Sequence, residues 1–541
     1  MPANLNTIRE KAFNGCTSLT YINTEIKTPI TIDESTFNDV TYNKCELFVP
    51  DSSTEAYRQA TVWSKFNHIT DGTVVLLNKS GSLSSKIDSN KRINITHLKV
   101  VGPIDIFDIQ YIREMAGCWF EWGKEDNGKL KYLDLHDAQL VGSDYSIDIY
   151  IKDWLQDQQK LECTAKIEPD GNDFSNLFRN VSKLNTVIMP SYLTTTGRGT
   201  FMDSPLSSIT LPKSLTTIGE YAFYNCSLLE TIELPTSVTI ISHDAFANCS
   251  NLRYISLPSN IKYIGEYTFS NSGIREITLP QQVTEITNNM FERCQNLEHI
   301  YLHDGLKSIG DYAFQDCNSL GGITLPNSVT KIGKGCFAHC DYLKEGVTLS
   351  DAITEIPEEA FADCGYLHEI KLPAELKRIG YRAFCGSPYI GSFGGLKIPS
   401  KVTEIAPEAF YKSFQDIEVL ELPASLKTVG DYAFADCSAK VIYAYMSEPF
   451  PLKDADFYSH PRSECKLYVP KGCAKKYRQA EIWKEFDIEE MDGTGIEGVT
   501  NDSTATEVAR YDANGNLLAA PAKGLNIVRY SDGTVKKIMV E

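Results

Sequence analysis

Apolar residues along most of the chain recur with a period near 23 residues, and each period ends in a short alternating run. In LLETIELP (228–235), polar residues separate Leu229, Ile232 and Leu234. This alternation predicts a short strand with one buried face. Phenylalanine marks the same register at intervals of 22 to 26 residues. Its twelve positions are Phe178, Phe201, Phe223, Phe246, Phe269, Phe291, Phe314, Phe337, Phe361, Phe384, Phe410 and Phe434.

A complete copy of the repeat is LKSIGDYAFQDCNSLGGITLP (306–326). A fixed period in the twenties with a Leu-x-x-Ile-x-Leu core predicts a leucine-rich-repeat solenoid, whose coils bury their apolar faces against their neighbours. The second apolar step, Val283 and Ile286 in one coil, predicts another extended stretch, and the Ala-Phe pair predicts a short helical or irregular turn. The predicted fold class is a repeat solenoid, β-rich with short helical or irregular turns. It comprises about twelve 23-residue coils, C-terminal caps and a small β-rich tail.

Cysteine occupies one position of this repeat. The third residue after the phenylalanine is cysteine in seven coils, serine in four and valine in one, and Cys16 has the same place after Phe13. One interpretation is a ladder of metal-binding or redox-active thiols, and the other is a small buried residue stacked from coil to coil. The replacement by serine and valine favours the second interpretation, so we predict free thiols.

The recurring pattern IGxYAFxxCxxLxxIxLP resembles the BspA-like leucine-rich-repeat family over residues 178–438, with a partial coil at 1–26. The resemblance implies the solenoid fold and a bacterial protein that is secreted or exposed on the cell surface. It also implies adhesion, in which such a protein binds host extracellular-matrix or serum proteins.

One module occurs twice. CELFVPDSSTEAYRQATVWSKF (45–66) matches CKLYVPKGCAKKYRQAEIWKEF (465–486) at ten of 22 positions. Aromatic and alanine residues fall every third position in both copies, which predicts one apolar helix face. Because a solenoid end must be covered, we interpret both copies as C-terminal caps. The first array would then consist of its last coil and cap, either naturally short or truncated.

This interpretation divides the chain into five segments. They are 1–72, a last coil and C-terminal cap; 73–177, a linker, N-terminal cap and divergent coils; 178–438, the main array; 439–492, a cap that duplicates 22–69; and 493–541, a linker and β-hairpin tail. The tail resembles small C-terminal modules of secreted bacterial proteins, including sorting domains. A plain hairpin tail is the alternative.

Composition limits the classes of partner that the protein is expected to bind. The net charge of −19 disfavours nucleic acid and anionic membrane surfaces as partners, because both carry negative charge. No apolar run reaches the length of a membrane span, so we expect no direct membrane insertion. The first residues do not form a signal peptide. Because the family resemblance implies a cell-surface or extracellular location, we expect that the signal peptide was removed or truncated.

Catalytic motifs are missing from the sequence, and we predict no enzyme, no cofactor and no metal. In EHIYLHD (298–304), His299 and His303 suggest a metal site, but neighbouring coils supply no further histidine in register. Exposed strand positions explain these residues better.

The remaining candidate is a binding surface on the outward strand positions of residues 253–301, where Arg, Tyr, His and Glu are mixed as in binding hot spots. The predicted ligand face comprises Arg253, Tyr254, Arg275, Glu276, Glu298, His299 and Tyr301. A glycine-rich insertion at 386–395 offers a second candidate, with Tyr389 and Phe393. We expect a non-enzymatic protein that mediates adhesion or protein–protein interaction; the alternatives are a structural spacer and a carbohydrate-binding surface protein.

Overall fold

The computed structural model describes the chain except residues 20, 51, 119–126, 154–157, 169–170, 393–394, 414–416, 458–461, 492–506, 513–517, 519, 521–522, 531–534 and 541. The described residues form two compact units, 1–490 and 491–541. The predicted linker after residue 493 lies outside the described residues as far as residue 506.

The larger unit is a solenoid in which short parallel strands of successive coils pair in register. Thr231 pairs with Tyr254, and Glu276 pairs with His299 in the same way. We call the outward side chains of this line of strands the strand face. In chain order the strands are Thr73–Leu76, His97–Ile104, Tyr132–Asp134, Thr186–Ile188, Ser208–Thr210, Thr231–Glu233, Tyr254–Ser256, Glu276–Thr278, His299–Tyr301, Ile323–Thr324, Val347–Thr348, Ile370–Lys371, Leu396–Lys397, Ile417–Leu422, Ala439–Ala444, Lys466–Val469 and Asp487–Glu490.

A second line of two-residue strands forms where the sequence predicts another extended stretch. Glu285 pairs with Ser308, and Ile286 with Ile309, again in parallel. The strands are Thr217–Ile218, Ile240–Ile241, Tyr263–Ile264, Glu285–Ile286, Ser308–Ile309, Glu355–Ile356, Arg378–Ile379, Glu404–Ile405 and Thr428–Val429. The predicted solenoid class is confirmed. The solenoid has about 19 turns rather than twelve, since coils without the Phe-Cys pattern also add turns.

The phenylalanines form one continuous stack through the core. From Phe178 to Phe434, neighbouring rings lie 5.2 to 6.0 Å apart between centroids, with planes within 13° of parallel. Stacking of this kind adds to the free energy gained by burying the rings. The stack therefore explains why phenylalanine recurs at the same position in these twelve coils.

The cysteine position beside this stack supplies a hydrogen-bond donor. The Cys317 thiol donates to the Phe291 carbonyl oxygen of the preceding coil, with 3.1 Å between sulfur and oxygen. Ser387 makes the equivalent bond to Phe361 at 2.8 Å. The thiol gives the buried Phe291 carbonyl a second partner besides the Cys294 backbone nitrogen. The interpretation as a small buried residue is confirmed for this ladder, although Cys16 is exposed.

The corner that contains the Ala-Phe pair consists of consecutive turns and not of a helix. Two residues per coil have left-handed backbone, such as Tyr312 (φ 55°) and Asp316 (φ 59°) on either side of Phe314. The preceding glycine permits close approach of the coils, since a Cβ on Gly310 would lie 2.6 Å from the Asn288 nitrogen. This close approach of neighbouring coils explains why glycine recurs after isoleucine in the repeat.

Residues 73–167 continue the same sheet toward the N-terminus and carry the longest helix. Leu98 pairs with Leu133, one coil further along. Asp105 caps the helix by accepting hydrogen bonds from the backbone of Phe107 and Asp108. The helices of this region are Leu83–Lys86, Ser89–Arg92 and Ile106–Met115, and its further strands are Ala138–Leu140, Ser146–Asp153 and Gln158–Lys166.

The duplicated modules share one structure. In each copy the tryptophan indole donates to a backbone carbonyl, Trp63 to Ile30 at 2.8 Å and Trp483 to Phe450 at 3.0 Å. The predicted single helix face is wrong, because the chain becomes extended at Ala60 and divides the segment. The α-helices are Asp39–Lys44, Thr54–Gln59 and Ala474–Gln479, and the 3-10 helices are Trp63–Lys65, Asp454–Phe457, Arg462–Glu464 and Trp483–Glu485.

The first module packs against the start of the strand face. Its strands are Tyr21–Asn23, Glu46–Val49 and His68–Asp71. Phe48 of the first module and Val74 of the first strand of the array are both buried. Neither belongs to the apolar core of its own segment. The Lys99 ammonium lies 5.7 Å from the centroid of the Tyr21 ring. The first strands of the following array are therefore covered by a segment of the same chain.

The smaller unit contains a three-stranded antiparallel sheet. Its strands are Glu507–Asp512, Gly524–Tyr530 and Val535–Val540. Within it, the Arg510 guanidinium donates to the Asn526 side-chain oxygen at 3.1 Å. Among the described residues of the whole chain, no helix has the length and apolar character needed to cross a membrane.

Candidate functional site

Four neighbouring strands lie in the middle of the solenoid, and the last three of them present the predicted ligand face. Each has a buried or half-buried isoleucine at its centre, such as Ile255 and Ile277, and exposed side chains on both sides of it. Outward residues therefore form two rows that run along the solenoid, as the alternation predicts. The first row is Thr231, Tyr254, Glu276 and His299, and the second is Glu233, Ser256, Thr278 and Tyr301.

Two tyrosines enclose a groove on this face. Tyr254 and Tyr301 are 49% and 52% exposed, although both are large apolar rings. Between them lie smaller side chains, which leave an open volume of about 670 Å³. We call this the Tyr254–Tyr301 groove. Its lining residues are Tyr254, Ile255, Ser256, Leu257, Ser259, Glu276, Ile277, Thr278, Pro280 and Tyr301.

The structure brings some of the predicted residues into the groove and leaves others on its border. Tyr254, Glu276 and Tyr301 line it. His299 lies in register with Glu276 on the next strand. Arg253 is exposed and precedes the strand that begins at Tyr254, so it is at the flank of the face.

Arg275 and Glu298 form an ion pair at the same flank. The Arg275 guanidinium nitrogen Nη2 lies 2.6 Å from Glu298 Oε1. This hydrogen bond raises the pKa of Arg275 above its usual value, and the Glu298 charge contributes in the same direction. Both side chains are partly exposed, so the pair contributes little to stability. The Arg275 and Glu298 charges therefore neutralise each other.

Glu276 differs from these neighbours in its electrostatic surroundings. Among the described residues, no ion pair involves Glu276, and Tyr254 and His299 flank it in its row. The outward positions of the four strands include two carboxylates, Glu233 and Glu276, and no lysine or arginine. The groove therefore combines two aromatic rings with the Glu276 carboxylate, while Arg253 and Arg275 border it at the flank.

The second candidate region contains an aromatic cluster that the sequence indicated only in part. The Tyr389 ring centroid lies 6.2 Å from that of Tyr366 and 5.3 Å from that of His368. Tyr342 continues the series, 6.5 Å from Tyr366. Phe393 lies outside the described residues. Tyr342 and Tyr366 were missed, although both occupy the second place after a ladder cysteine, as a comparison of the coils could have shown.

One histidine near the groove, His303, has structural partners. His303 Nδ1 accepts a hydrogen bond from the Gly305 backbone at 3.0 Å, and His303 Nε2 lies 3.1 Å from the Val283 carbonyl oxygen. In the part of the chain that the structure describes, no three His, Cys, Asp or Glu side chains are placed to hold a metal ion. His303 therefore helps to shape the turn after its strand.

Comparison with solved structures gives bacterial leucine-rich repeat proteins. A protein from Bacteroides ovatus aligns with 24% identity over 59% of this chain and 86% of its own, with a TM-score of 0.42. The pneumococcal vaccine antigen PcpA aligns with 23% identity over 57% and 80%, with a TM-score of 0.41. A leucine rich cell surface protein from Faecalibacterium prausnitzii aligns with 19% identity over 55% and 93%, with a TM-score of 0.32.

No functionally curated protein matches the chain. The sequence profile of the BspA type leucine rich repeat region matches residues 1–74, 174–298, 284–413 and 389–448. Together these segments include more than half of the chain, and they contain the recurring Phe-Cys coils described above. The chain therefore belongs to the BspA-type leucine-rich repeat family.

Proposed function

We propose that this protein is a non-enzymatic adhesin or interaction protein that binds a protein partner through its strand face. Host extracellular-matrix or serum proteins are the proposed class of ligand. The family membership supports a role as a scaffold for protein interaction. A solenoid suits this role, because its stacked strands give a long continuous surface whose side chains vary without disturbing the core.

The Tyr254–Tyr301 groove is the observation that carries this proposal. About half of each tyrosine ring is exposed, and tyrosine is enriched among residues that dominate binding energy at interfaces. A ring of this kind supplies a large contact area at low cost in conformational entropy. Two such rings on either side of a groove can hold a partner segment laid across the strands.

Binding to immobilised extracellular-matrix and serum proteins at physiological salt tests the proposal. We expect saturable binding by the intact chain and a loss of about tenfold or more for Tyr254→Ala combined with Tyr301→Ala. Tyr263→Ala is the matched control, since Tyr263 is a strand residue of similar exposure on the second line of strands. Equal losses from the groove and control variants would contradict binding through the strand face.

Carbohydrate binding is a second candidate, favoured by the cluster of Tyr342, Tyr366 and Tyr389. These rings are 43%, 53% and 43% exposed and follow one another along the solenoid, one per coil. Exposed aromatic rings with polar edges can pack against the faces of sugar rings. A glycan array would test this function, with Tyr366→Ala as the informative variant. If neither proteins nor glycans bind, a structural spacer becomes the favoured function.

We also propose that the protein is located at the cell surface or outside the cell, as family resemblance implies. Treatment of intact bacterial cells with protease tests this location. The treatment should release fragments of the solenoid while a cytoplasmic marker stays intact. Complete protection of the chain on intact cells would contradict a surface location, and recovery of the chain from the medium would establish secretion.

A further inference from the structure

We infer that the Tyr254–Tyr301 groove recognises an arginine or lysine side chain of a cationic segment in the partner protein, with Glu276 as its charge partner. This inference rests on the proposed function and adds the chemistry of the ligand. It depends on three features of the groove: its aromatic ends, its unpaired carboxylate and the charge of its surroundings.

The first feature is the arrangement of the two rings. Tyr254 and Tyr301 lie on strands that are two coils apart, with the strand of Glu276 between them. Ser256 and Thr278 keep the space between the rings open. A cation placed against the face of a tyrosine ring is attracted by the negative charge density of that face.

The second feature is that Glu276 has no ion-pair partner among the described residues, whereas two other carboxylates of the strand face, Glu421 and Glu489, do. Glu421 lies 3.4 Å from Lys397, and Glu489 lies 2.7 Å from Lys466. In both pairs a lysine from an adjacent coil neutralises the carboxylate. Glu276 lines the groove without an ion pair among the described residues, so its charge is available to a ligand.

The third feature is the sign of the surrounding charge. The net charge of the chain is −19, and Glu233 adds a second carboxylate without an ion pair in the described region, one strand before Tyr254. Arg253 and Arg275 border the groove, and Arg275 is paired with Glu298. The net negative charge of the chain nevertheless disfavours phosphate and carboxylate ligands and increases the association rate of cationic ones. The volume of about 670 Å³ exceeds that of one side chain. A basic side chain within a short extended segment is therefore the occupant that fits both the charge and the size.

A peptide experiment tests this inference directly. The probe is a fluorescent peptide with arginine residues separated by glycine and serine, and its binding to the intact chain is followed by fluorescence anisotropy at physiological salt. The control peptide replaces each arginine by citrulline, which retains the shape and removes the charge. We expect saturable binding of the arginine peptide and at least about tenfold weaker binding of the citrulline peptide.

Two glutamate variants locate the interaction. Glu276→Gln should weaken binding of the arginine peptide by about five- to tenfold, since it removes the charge without changing the size of the side chain. Glu285→Gln is the matched control. It removes the same charge from an exposed strand residue of the same coil, on the second line of strands. This variant should leave the affinity within about twofold. Circular dichroism confirms that both variants are folded.

Several results would overturn the inference. One is equal affinity for the arginine and citrulline peptides, or no saturable binding of either at millimolar concentration. Another is equal weakening by Glu276→Gln and Glu285→Gln, which would indicate general attraction to an acidic surface. A protein ligand that depends on Tyr254 and Tyr301 but not on Glu276 would overturn this inference and leave the proposed function intact. A protein ligand that depends on none of the three would overturn both.

Discussion

The Lys99 ammonium donates a hydrogen bond of 2.6 Å to the Asp134 carboxylate, and the two side chains are only 7% and 3% exposed. Asp137 lies 3.1 Å from the same ammonium. Outward side chains of a solenoid strand are normally in water, but the first module covers these. The ion pair is therefore part of an internal interface between the duplicated module and the array that follows it.

Removal of Lys99 should destabilise this interface strongly. Lys99→Met leaves Asp134 buried without its cation, which typically costs about 3–5 kcal/mol. Urea unfolding followed by circular dichroism measures the loss, and limited proteolysis shows whether the first module becomes accessible. The double variant Lys99→Met with Asp134→Asn should recover part of the stability. Lys440→Met is the control, because it breaks a surface pair with Glu418 and should cost under about 1 kcal/mol. Equal losses from the two lysines would contradict this account.

The same interface predicts a pH dependence at Glu46. Burial raises the pKa of Glu46 above its usual value, with Asp134 and Asp137 acting in the same direction and Lys99 and His68 opposing them. A raised pKa means that the folded state prefers the protonated carboxyl. Its contribution to stability is therefore present below the unfolded pKa and lost as pH rises through the folded pKa.

Glu46→Gln should consequently stabilise the protein at pH 7 and have a smaller effect at pH 4, since glutamine resembles the protonated carboxyl. Thermal unfolding at the two pH values measures the difference. Glu55→Gln is a suitable control, because Glu55 is an exposed residue of the same module. Destabilisation by Glu46→Gln at pH 7 would show that its charge is required at the interface.

At the cysteine position of the repeat, the hydrogen bond from the side chain to the preceding coil should determine which substitutions are tolerated. In Cys317→Ser, the hydroxyl can donate to Phe291 as Ser387 does to Phe361, so the cost should stay below about 1 kcal/mol. Cys317→Ala removes this donor and leaves a small cavity. The Phe291 carbonyl keeps a second partner, the Cys294 backbone nitrogen at 3.0 Å. We therefore expect the free energy of unfolding of the alanine variant to be only about 1–2 kcal/mol lower than that of the serine variant. Urea unfolding of both variants measures the difference, and a serine variant less stable than the alanine variant would contradict it.

The ladder thiols should also be unreactive in the folded protein. Burial raises the pKa of Cys226 to about 12 and that of Cys294 to about 11, and it is the thiolate that attacks an alkylating reagent. At pH 8, iodoacetamide should therefore modify the exposed Cys16 much faster than the ladder. Mass spectrometry of native and denatured samples counts the modified residues. Without reductant, resistance of the ladder in the denatured sample would reveal oxidised cysteines and contradict the prediction of free thiols.

The sequence was informative wherever a local period determines the environment of a side chain. The alternation around Ile232 predicts its burial, and the same rule places Tyr254 and Tyr301 outside. It does not predict the left-handed backbone at Tyr312, because side-chain type alone gives little indication of that conformation. The environment of Lys99 could not be predicted either. Its burial depends on a module that packs face to face with the strand from a distant part of the chain.

The two copies of the module should respond differently to the same substitution, although their tryptophans are equally buried. Trp63→Ala and Trp483→Ala each remove a large core side chain, which typically costs about 3–5 kcal/mol. The first copy also covers part of the strand face, so Trp63→Ala should increase hydrogen exchange in His97–Ile104. Trp483→Ala should leave that strand protected and instead increase exchange in Ala439–Ala444, consistent with the proposed role of the second copy as a cap. If Trp63→Ala leaves His97–Ile104 protected, the array holds this strand without the first module. The duplication would then provide two equivalent caps, and the cover over Lys99 would contribute nothing to the stability of the array.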